Sequence, residues 1–244
     1  MPKFNNLYSL IIAATLAFIC SHSLNAKDAR AEHYKNKYKA ECLNQKITDN
    51  FGNGYDALYG TRNMRPVLHG VVYRGGANNF FHKTTKRDNR NPLPDEGLQH
   101  LADDGFSSAV YLYPNNFDIA RKEIKASKGD HKMKYIQNSG GSKPKLRNLL
   151  EMTKEVIDNH NYGPIYMHCW NGWHQSGYVS AAILMQFCDY SSDKAVEYWI
   201  ENTDGANKGY DHVKKKIMEF VPYDDLKISK EIQKDICPCM HADK

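Results

Sequence analysis

Apolar and polar positions along the chain switch repeatedly between the two-residue period of a strand and the three-to-four-residue period of a helix. The run "GVVYRGG" (70–76) is β-branched and aromatic and is closed by glycines, which predicts a strand followed by a turn. A polar, basic loop over 78–94 follows, and Pro94-Asp95-Glu96 opens a helix that carries Leu98 and Leu101 and stops at Gly105. "SSAVYLY" (107–113) predicts a strand, Phe117, Ala120 and Ile124 mark one face of a helix, and "KYIQ" (134–137) is a further short strand. Leu146, Leu149, Leu150, Thr153, Val156 and Ile157 recur at helical spacing up to a stop before Gly163. "PIYMH" (164–168) is a buried strand and 177–187 an apolar helix. Two more helices carry Ala195, Val196, Trp199 and Ile200, and Tyr210, Val213, Ile217 and Phe220. Upstream, 27–46 reads as a Lys-rich surface helix that packs loosely, and 52–70 as irregular chain. Strands alternating with helices predict an α/β fold with a central, mostly parallel sheet flanked by helices. Ligands bind such sheets beyond the carboxyl ends of the strands, and Cys169 sits at that position.

Composition narrows the setting. The chain has 244 residues, 41% hydrophobic and 25% charged, which suits one domain with a substantial core rather than disorder or repeats. A basic start at Lys3, an apolar run over 7–20 and small Ala26 read as a cleavable signal peptide over 1–26. The apolar run is short beside the ~20 residues that span a bilayer, and bulky Ile19 disfavours a lipoprotein signal at Cys20. The expected mature protein is therefore periplasmic or secreted and starts near Lys27. It comprises an extension (27–70), a main domain (71–222) and a tail with Cys-Pro-Cys (223–244). A net charge of +5 describes an ordinary solvated surface and no nucleic-acid groove. No second segment is apolar enough to cross a membrane, so stable insertion after cleavage is not expected.

Without Cys20 the cysteines are Cys42, Cys169, Cys188, Cys237 and Cys239, an odd set that leaves at least one free thiol in an exported protein. Cys42 and the Cys237-Pro238-Cys239 pair suit disulfides that tie loose ends to the body of the domain, with the pairing left open. A redox or metal role for Cys-Pro-Cys is the weaker alternative, because two ligands make a poor zinc site.

The chemistry concentrates in "IYMHCWNGWHQSG" (165–177). Between a strand end at His168 and a helix start near Ser176 the backbone must turn with N–H groups inward, and Gly172 permits close approach. Such a turn, continued by a helix N-terminus, is an oxyanion or phosphate site. Cys169 at its entrance is the candidate nucleophile, and Ser176 is placed to hydrogen-bond its sulfur and steady it as a leaving group.

"HCWNGWHQSG" resembles the signature H-C-x5-R-[ST] of the cysteine-dependent phosphatases, the protein-tyrosine and dual-specificity superfamily. The resemblance covers about 71–220 and includes "VYRGG". It implies a dual-specificity phosphatase-like fold and hydrolysis of a phosphomonoester, either phosphotyrosine or a small phosphorylated ligand such as a lipid headgroup or inositol phosphate, through a cysteinyl-phosphate on Cys169. His168 would position the nucleophile, the amides of Trp170, Asn171, Gly172, Trp173, His174 and Gln175 would hold phosphate, and Ser176 would assist thiolate departure. The expected partner is a phosphorylated protein or small phosphoester, with no metal and no cofactor.

The sequence departs from that pattern twice. Gln175 stands where the family has Arg, and a neutral amide lacks the charge and fork that grip the transferring group, a loss of about 3–4 kcal/mol at an oxyanion. His174, which matches the Asp preceding the Arg in myotubularin-like lipid phosphatases, could as imidazolium supply both charge and a proton. The stretch "YIQNSGGSKPK" (135–145), where the acid is usual, has no carboxylate. Asp204, Asp118 and Asp130 are the remaining acids to consider, and Arg74, Arg65 and Arg87 the cations outside the loop. Trp170 and Trp173 could wall the site or simply pack over it. The alternative function is a pseudophosphatase that binds a phosphorylated partner without turnover.

Overall fold

A computed structural model describes residues 28–55, 58–78 and 92–241. The signal segment, Arg87 and most of the basic loop after Asn78 lie outside the described residues.

The sheet has six strands in the order β1-β2-β6-β3-β5-β4. They are β1 (Thr61–Leu68), β2 (Val72–Ala77), β3 (Ser108–Tyr111), β4 (Glu123–Lys125), β5 (Lys132–Gln137) and β6 (Ile165–Cys169). The four inner strands β2, β6, β3 and β5 run parallel, and the edge strands β1 and β4 pair antiparallel to β2 and β5. The mostly parallel α/β sheet is thus the one the alternating pattern predicts.

Helices α1 (Ala29–Tyr38) and α2 (Asp95–Asp103) cover one face; α3 (Lys143–Asp158), α4 (His174–Phe187), α5 (Ser192–Glu201) and α6 (Asp211–Met218) build the other, and α7 (Lys230–Ile236) ends the described chain. Alternation along β6 feeds both layers. Ile165 and Met167 join Leu149, Val179, Ile183 and Trp199, while Tyr166 packs with Tyr73, Tyr111, Tyr135 and Phe106. Its residues pair with β2 on one side and β3 on the other, so Cys169 emerges at the centre of the sheet's carboxyl edge.

Several expectations need correcting. The segment read as irregular chain contains β1, hidden by Pro66 and by its many polar residues, so a boundary at residue 71 would cut the β1–β2 hairpin. The face Phe117, Ala120, Ile124 is no helix: only Phe117–Ile119 forms a 3-10 turn, and Ile124 lies in β4, buried against β5. α1 does not pack loosely either. Tyr34 and Tyr38 are buried against Tyr73, and Arg30 Nη1 donates to the carbonyls of Val156, Asn159 and Tyr162 at the end of α3. α4 begins at His174, so His174, Gln175 and Ser176 belong to its first turn and not to the preceding loop.

The tail is fastened covalently by disulfides Cys42–Cys239 and Cys188–Cys237, and Cys169 is the free, buried cysteine among the described residues. The Cys-Pro-Cys pair thereby holds both the N-terminal segment and the end of α4. Removing the second bridge as Cys188→Ala/Cys237→Ala releases a closure spanning 49 residues, and loop entropy puts the loss at roughly 2–4 kcal/mol. The expected result is a urea midpoint clearly below that of the parent, read by far-ultraviolet circular dichroism.

Candidate functional site

The turn after β6 is shaped from behind. The Cys169 carbonyl accepts from His168 Nδ1 at 3.1 Å, the Trp170 carbonyl from the Ala77 N–H at 3.0 Å, and the Gly172 carbonyl from Arg74 Nη2 and from Asn63 Nδ2. In a trans peptide the following N–H points opposite to its carbonyl, and the described chain has no cis bond. The N–H groups of Trp170, Asn171 and Trp173 are therefore turned away from these donors. Asn171 itself bridges to Gly76 as a short extension of the sheet. Gly172 has φ +76, and a Cβ there would lie 2.6 Å from the carbonyl carbon of Gly75, so only glycine fits.

Cys169 Sγ lies 3.4 Å from Ser176 Oγ, and both are buried. Ser176 is in the first turn of α4, whose leading amides lack intrahelical acceptors and carry the positive end of the helix dipole. A thiolate at Cys169 would accept from the Ser176 hydroxyl.

His168 is fully enclosed among the rings of Tyr111, Tyr135 and Tyr166. Burial pushes its imidazolium down to about 3, so the ring is neutral. Its Nδ1 faces a carbonyl and must carry the proton, which leaves Nε2 to accept from the Tyr135 hydroxyl at 2.8 Å; that oxygen in turn accepts the Leu93 N–H at 3.0 Å. The resulting chain runs from Leu93 to the Cys169 carbonyl. His168 thus reaches the nucleophile through its backbone.

The first-turn residues behave otherwise than the sequence suggests. His174 Nε2–H donates to the Ala206 carbonyl at 2.5 Å, and its ring stacks on Tyr210 with centroids 3.6 Å apart. Burial, aided by Arg74 and His212, holds it below the ordinary histidine value. The lowered value disfavours a standing imidazolium at neutral pH, and the ring is packed against Tyr210. The Gln175 amide is also engaged, donating to the Ser139 carbonyl in the segment after β5.

Among the candidate acids, Asp204 ion-pairs with Lys46 at 2.9 Å and Arg65 at 3.3 Å and accepts from Trp173 Nε1 at 3.0 Å. Its partial burial is outweighed by Lys46, Arg65 and Asn50, which hold the carboxyl below its usual range, so it is a poor proton donor. Asp130 sits in the turn before β5 and pairs with Lys125. Because β5 is parallel to β6 through β3, that turn is at the opposite end of the sheet from Cys169. Asp118 is exposed in the 3-10 turn that follows β3, at the same end as Cys169. Trp170 stacks on Tyr113 at 4.3 Å and donates from Nε1 to the Tyr111 hydroxyl, so it packs beside the loop.

Sequence reasoning missed Arg62 and Asn63 of β1, whereas it named Arg65 and Arg74 as cations outside the loop. Arg62 Nη1 donates to Asn171 Oδ1 at 3.2 Å, and Asn63 donates to the carbonyls of Asn171 and Gly172. Arg65 donates to Asn63 Oδ1, Asn202 and Asp204; burial, with Arg74 nearby, pushes it down to about 10, still charged at neutral pH. Arg74 is fully buried and also donates to the Tyr198 hydroxyl and the Asn202 carbonyl. A basic pair in "TRNMR" (61–65) was the available signal, but nothing local marks it as a strand. The loop thus rests on a cluster of guanidinium groups, with Asp204 the carboxylate paired into it.

The chain is similar in fold to phosphatase and phosphatase-like proteins. It resembles the core catalytic domain of the PP-IP phosphatase SIW14 from S. cerevisiae, solved with citrate, at 16% identity over 72% of this chain and 92% of that one, with a TM-score of 0.44. A second structure of the SIW14 catalytic core gives 16% identity, 70% and 88% coverage and a TM-score of 0.43. The human tyrosine phosphatase-like serine/threonine/tyrosine-interacting protein gives 18%, 63% and 93%, and 0.35. No family model matches the chain, and no curated protein does. Likenesses of this size assign no residue and no substrate.

His168 gives a pH prediction. Its folded-state value lies below the ~6.5 of an unfolded histidine, so the unfolded chain binds the extra proton and stability falls as pH drops from about 6.5 toward 3. His69, also depressed by burial to about 4, acts in the same direction. In urea titrations at pH 7 and pH 5, His168→Gln should lose less stability between the two pH values than the parent does.

Proposed function

We propose that the protein is an exported cysteine-dependent phosphatase-like hydrolase that cleaves a phosphomonoester through a cysteinyl-phosphate on Cys169. The observation that carries this reading is the turn itself. Its carbonyls at Cys169, Trp170 and Gly172 are held by His168, the Ala77 N–H and Arg74, the amide that follows each is turned away from that donor, and Cys169 Sγ lies 3.4 Å from Ser176 Oγ. An arrangement of backbone donors beside buried guanidinium groups favours a tetrahedral dianion over a neutral ligand. The disulfides support export, since such bonds persist in oxidising compartments.

In the proposed cycle the Cys169 thiolate attacks phosphorus as the bond to the leaving oxygen breaks, and that oxygen takes up a proton. Water then attacks phosphorus, the P–S bond breaks, and inorganic phosphate leaves. Ser176 donates to the departing sulfur. Asp118, at the correct end of the sheet, is the carboxylate best placed to deliver the first proton. Phosphotyrosine on a protein, or a small phosphorylated ligand, fits the reading.

The second reading, a phosphate-binding module without turnover, is favoured by one observation: the Gln175 amide is spent on the Ser139 carbonyl and adds no charge to the turn. Hydrolysis of a generic aryl phosphate across about pH 5 to 8 separates the two. Turnover that falls more than about a thousandfold in Cys169→Ser, with vanadate still bound, is the expected result; equal turnover in that variant would remove the mechanism. No turnover in the parent, with vanadate bound, would establish the binding module. Gln175→Arg should raise kcat on the order of tenfold, because it adds a transition-state charge. His174→Ala should cost less than tenfold, since its ring is packed on Tyr210 and its Nε2–H is already given to the Ala206 carbonyl.

A further inference from the structure

β1 departs from regular strand geometry where it meets the turn. Between Arg62 and Arg65 it contains one residue more than β2 opposite, and Asn63 there is in the left-handed region at φ +52. Consecutive side chains on a regular strand point to opposite faces, yet Arg62 and Asn63 both reach Asn171. A bulge that re-aims side chains, held by a strained residue, is characteristic of a functional edge. Here it brings a cation to the loop. Arg62 pairs in register with Gly76, and Gly76 bridges Asn171, so the three lie side by side across the sheet's edge.

Resting on the phosphatase-like reading of this site, we infer that Arg62 supplies the positive charge that Gln175 does not, acting on the anion at Cys169 from the neighbouring strand. Arg62 is half-buried, so its field is incompletely screened, and it lies over the Trp173 ring at 5.9 Å. Burial holds its guanidinium below the ordinary value, and the carboxylates of Asp204 and Asp49 oppose that shift, as a thiolate at Cys169 would. Arg74 and Arg65 are committed to carbonyls, amides and Asp204 beneath the loop. Arg62 meets the loop at the side chains of Asn171 and Trp173 and at none of the carbonyls that Arg74 and Asn63 hold.

The decisive readout needs no turnover. Cys169 is the one free cysteine among the described residues, and its alkylation by anionic iodoacetate relative to neutral iodoacetamide reports the local charge. Arg62→Gln keeps a donor for Asn171 and removes the cation; it should lower the iodoacetate-to-iodoacetamide rate ratio at least fivefold and weaken vanadate binding at least tenfold. Arg62→Lys should retain most of both, and Arg62→Gln/Gln175→Arg should recover vanadate affinity. An unchanged rate ratio in a folded Arg62→Gln protein overturns the inference. A fivefold loss of the ratio in a protein that hydrolyses no phosphoester leaves the charge assignment standing and removes the enzymatic reading, whereas hydrolysis with kcat and KM unaffected by Arg62→Gln does the reverse.

Discussion

A fully buried guanidinium holds the site together. Arg74, on a central strand, has no exposed surface, and removing such a charge from water costs several kcal/mol unless its donors are met. Its two terminal nitrogens are met by the Gly172 carbonyl, the Asn202 carbonyl and the Tyr198 hydroxyl, which come from the turn, the end of α5 and its inner face, while its buried Nε has no hydrogen-bond partner. No ion pair with a carboxylate is recorded for it among the described residues. Its terminal nitrogens are met by dipoles, one from the turn and two from α5. The turn's conformation is therefore a condition for burying Arg74, and α5 cannot shift without exposing it. Asn63 shares the Gly172 carbonyl with Arg74, and His168 holds the Cys169 carbonyl from the other layer, among Tyr111, Tyr135 and Tyr166.

The sheet's parallel centre and the position of Cys169 were legible because β2, β3 and β6 are short apolar runs closed by turn residues, a signal that lies within each segment. β1 was not, because its pairing is set by β2 and its bulge by contacts with a turn about a hundred residues later in the chain. Ile124 was misread as helical because one apolar residue in a polar stretch fits either period; burial of the edge strand against β5 decides it. In the site, the types at Cys169, Gly172 and Ser176 carry their own chemistry. The environment of His174 does not. Its stacking on Tyr210 and its bond to Ala206 come from chain some 30 residues downstream, and no spacing rule announces them.

The covalent links act on the same frame from outside. One disulfide joins Cys42, between α1 and β1, to Cys239, and the other joins the end of α4 to Cys237. Both bridges converge on the short segment after α7. The N-terminal layer and the helix that presents Ser176 are thus fastened to one point, so a terminal region that would otherwise fray becomes part of the scaffold.

Gln175 then takes on a structural sense. An arginine at that position in the first turn would aim charge into the anion site, but the glutamine amide turns to the Ser139 carbonyl and ties the segment after β5 to α4. That segment has no carboxylate to swing over a substrate, and Gly140 there already packs within reach of Val179 and Leu149. This strut lies on the β3–β5 side of Cys169, and β1, with Arg62 over the Trp173 ring, lies on the other side. The guanidinium groups of β1 and the carboxylate of Asp118 both lie toward the same carboxyl edge of the sheet. On the proposed reading, selection for an anion at Cys169 is carried by the strand beside the loop and less by the loop's own sequence.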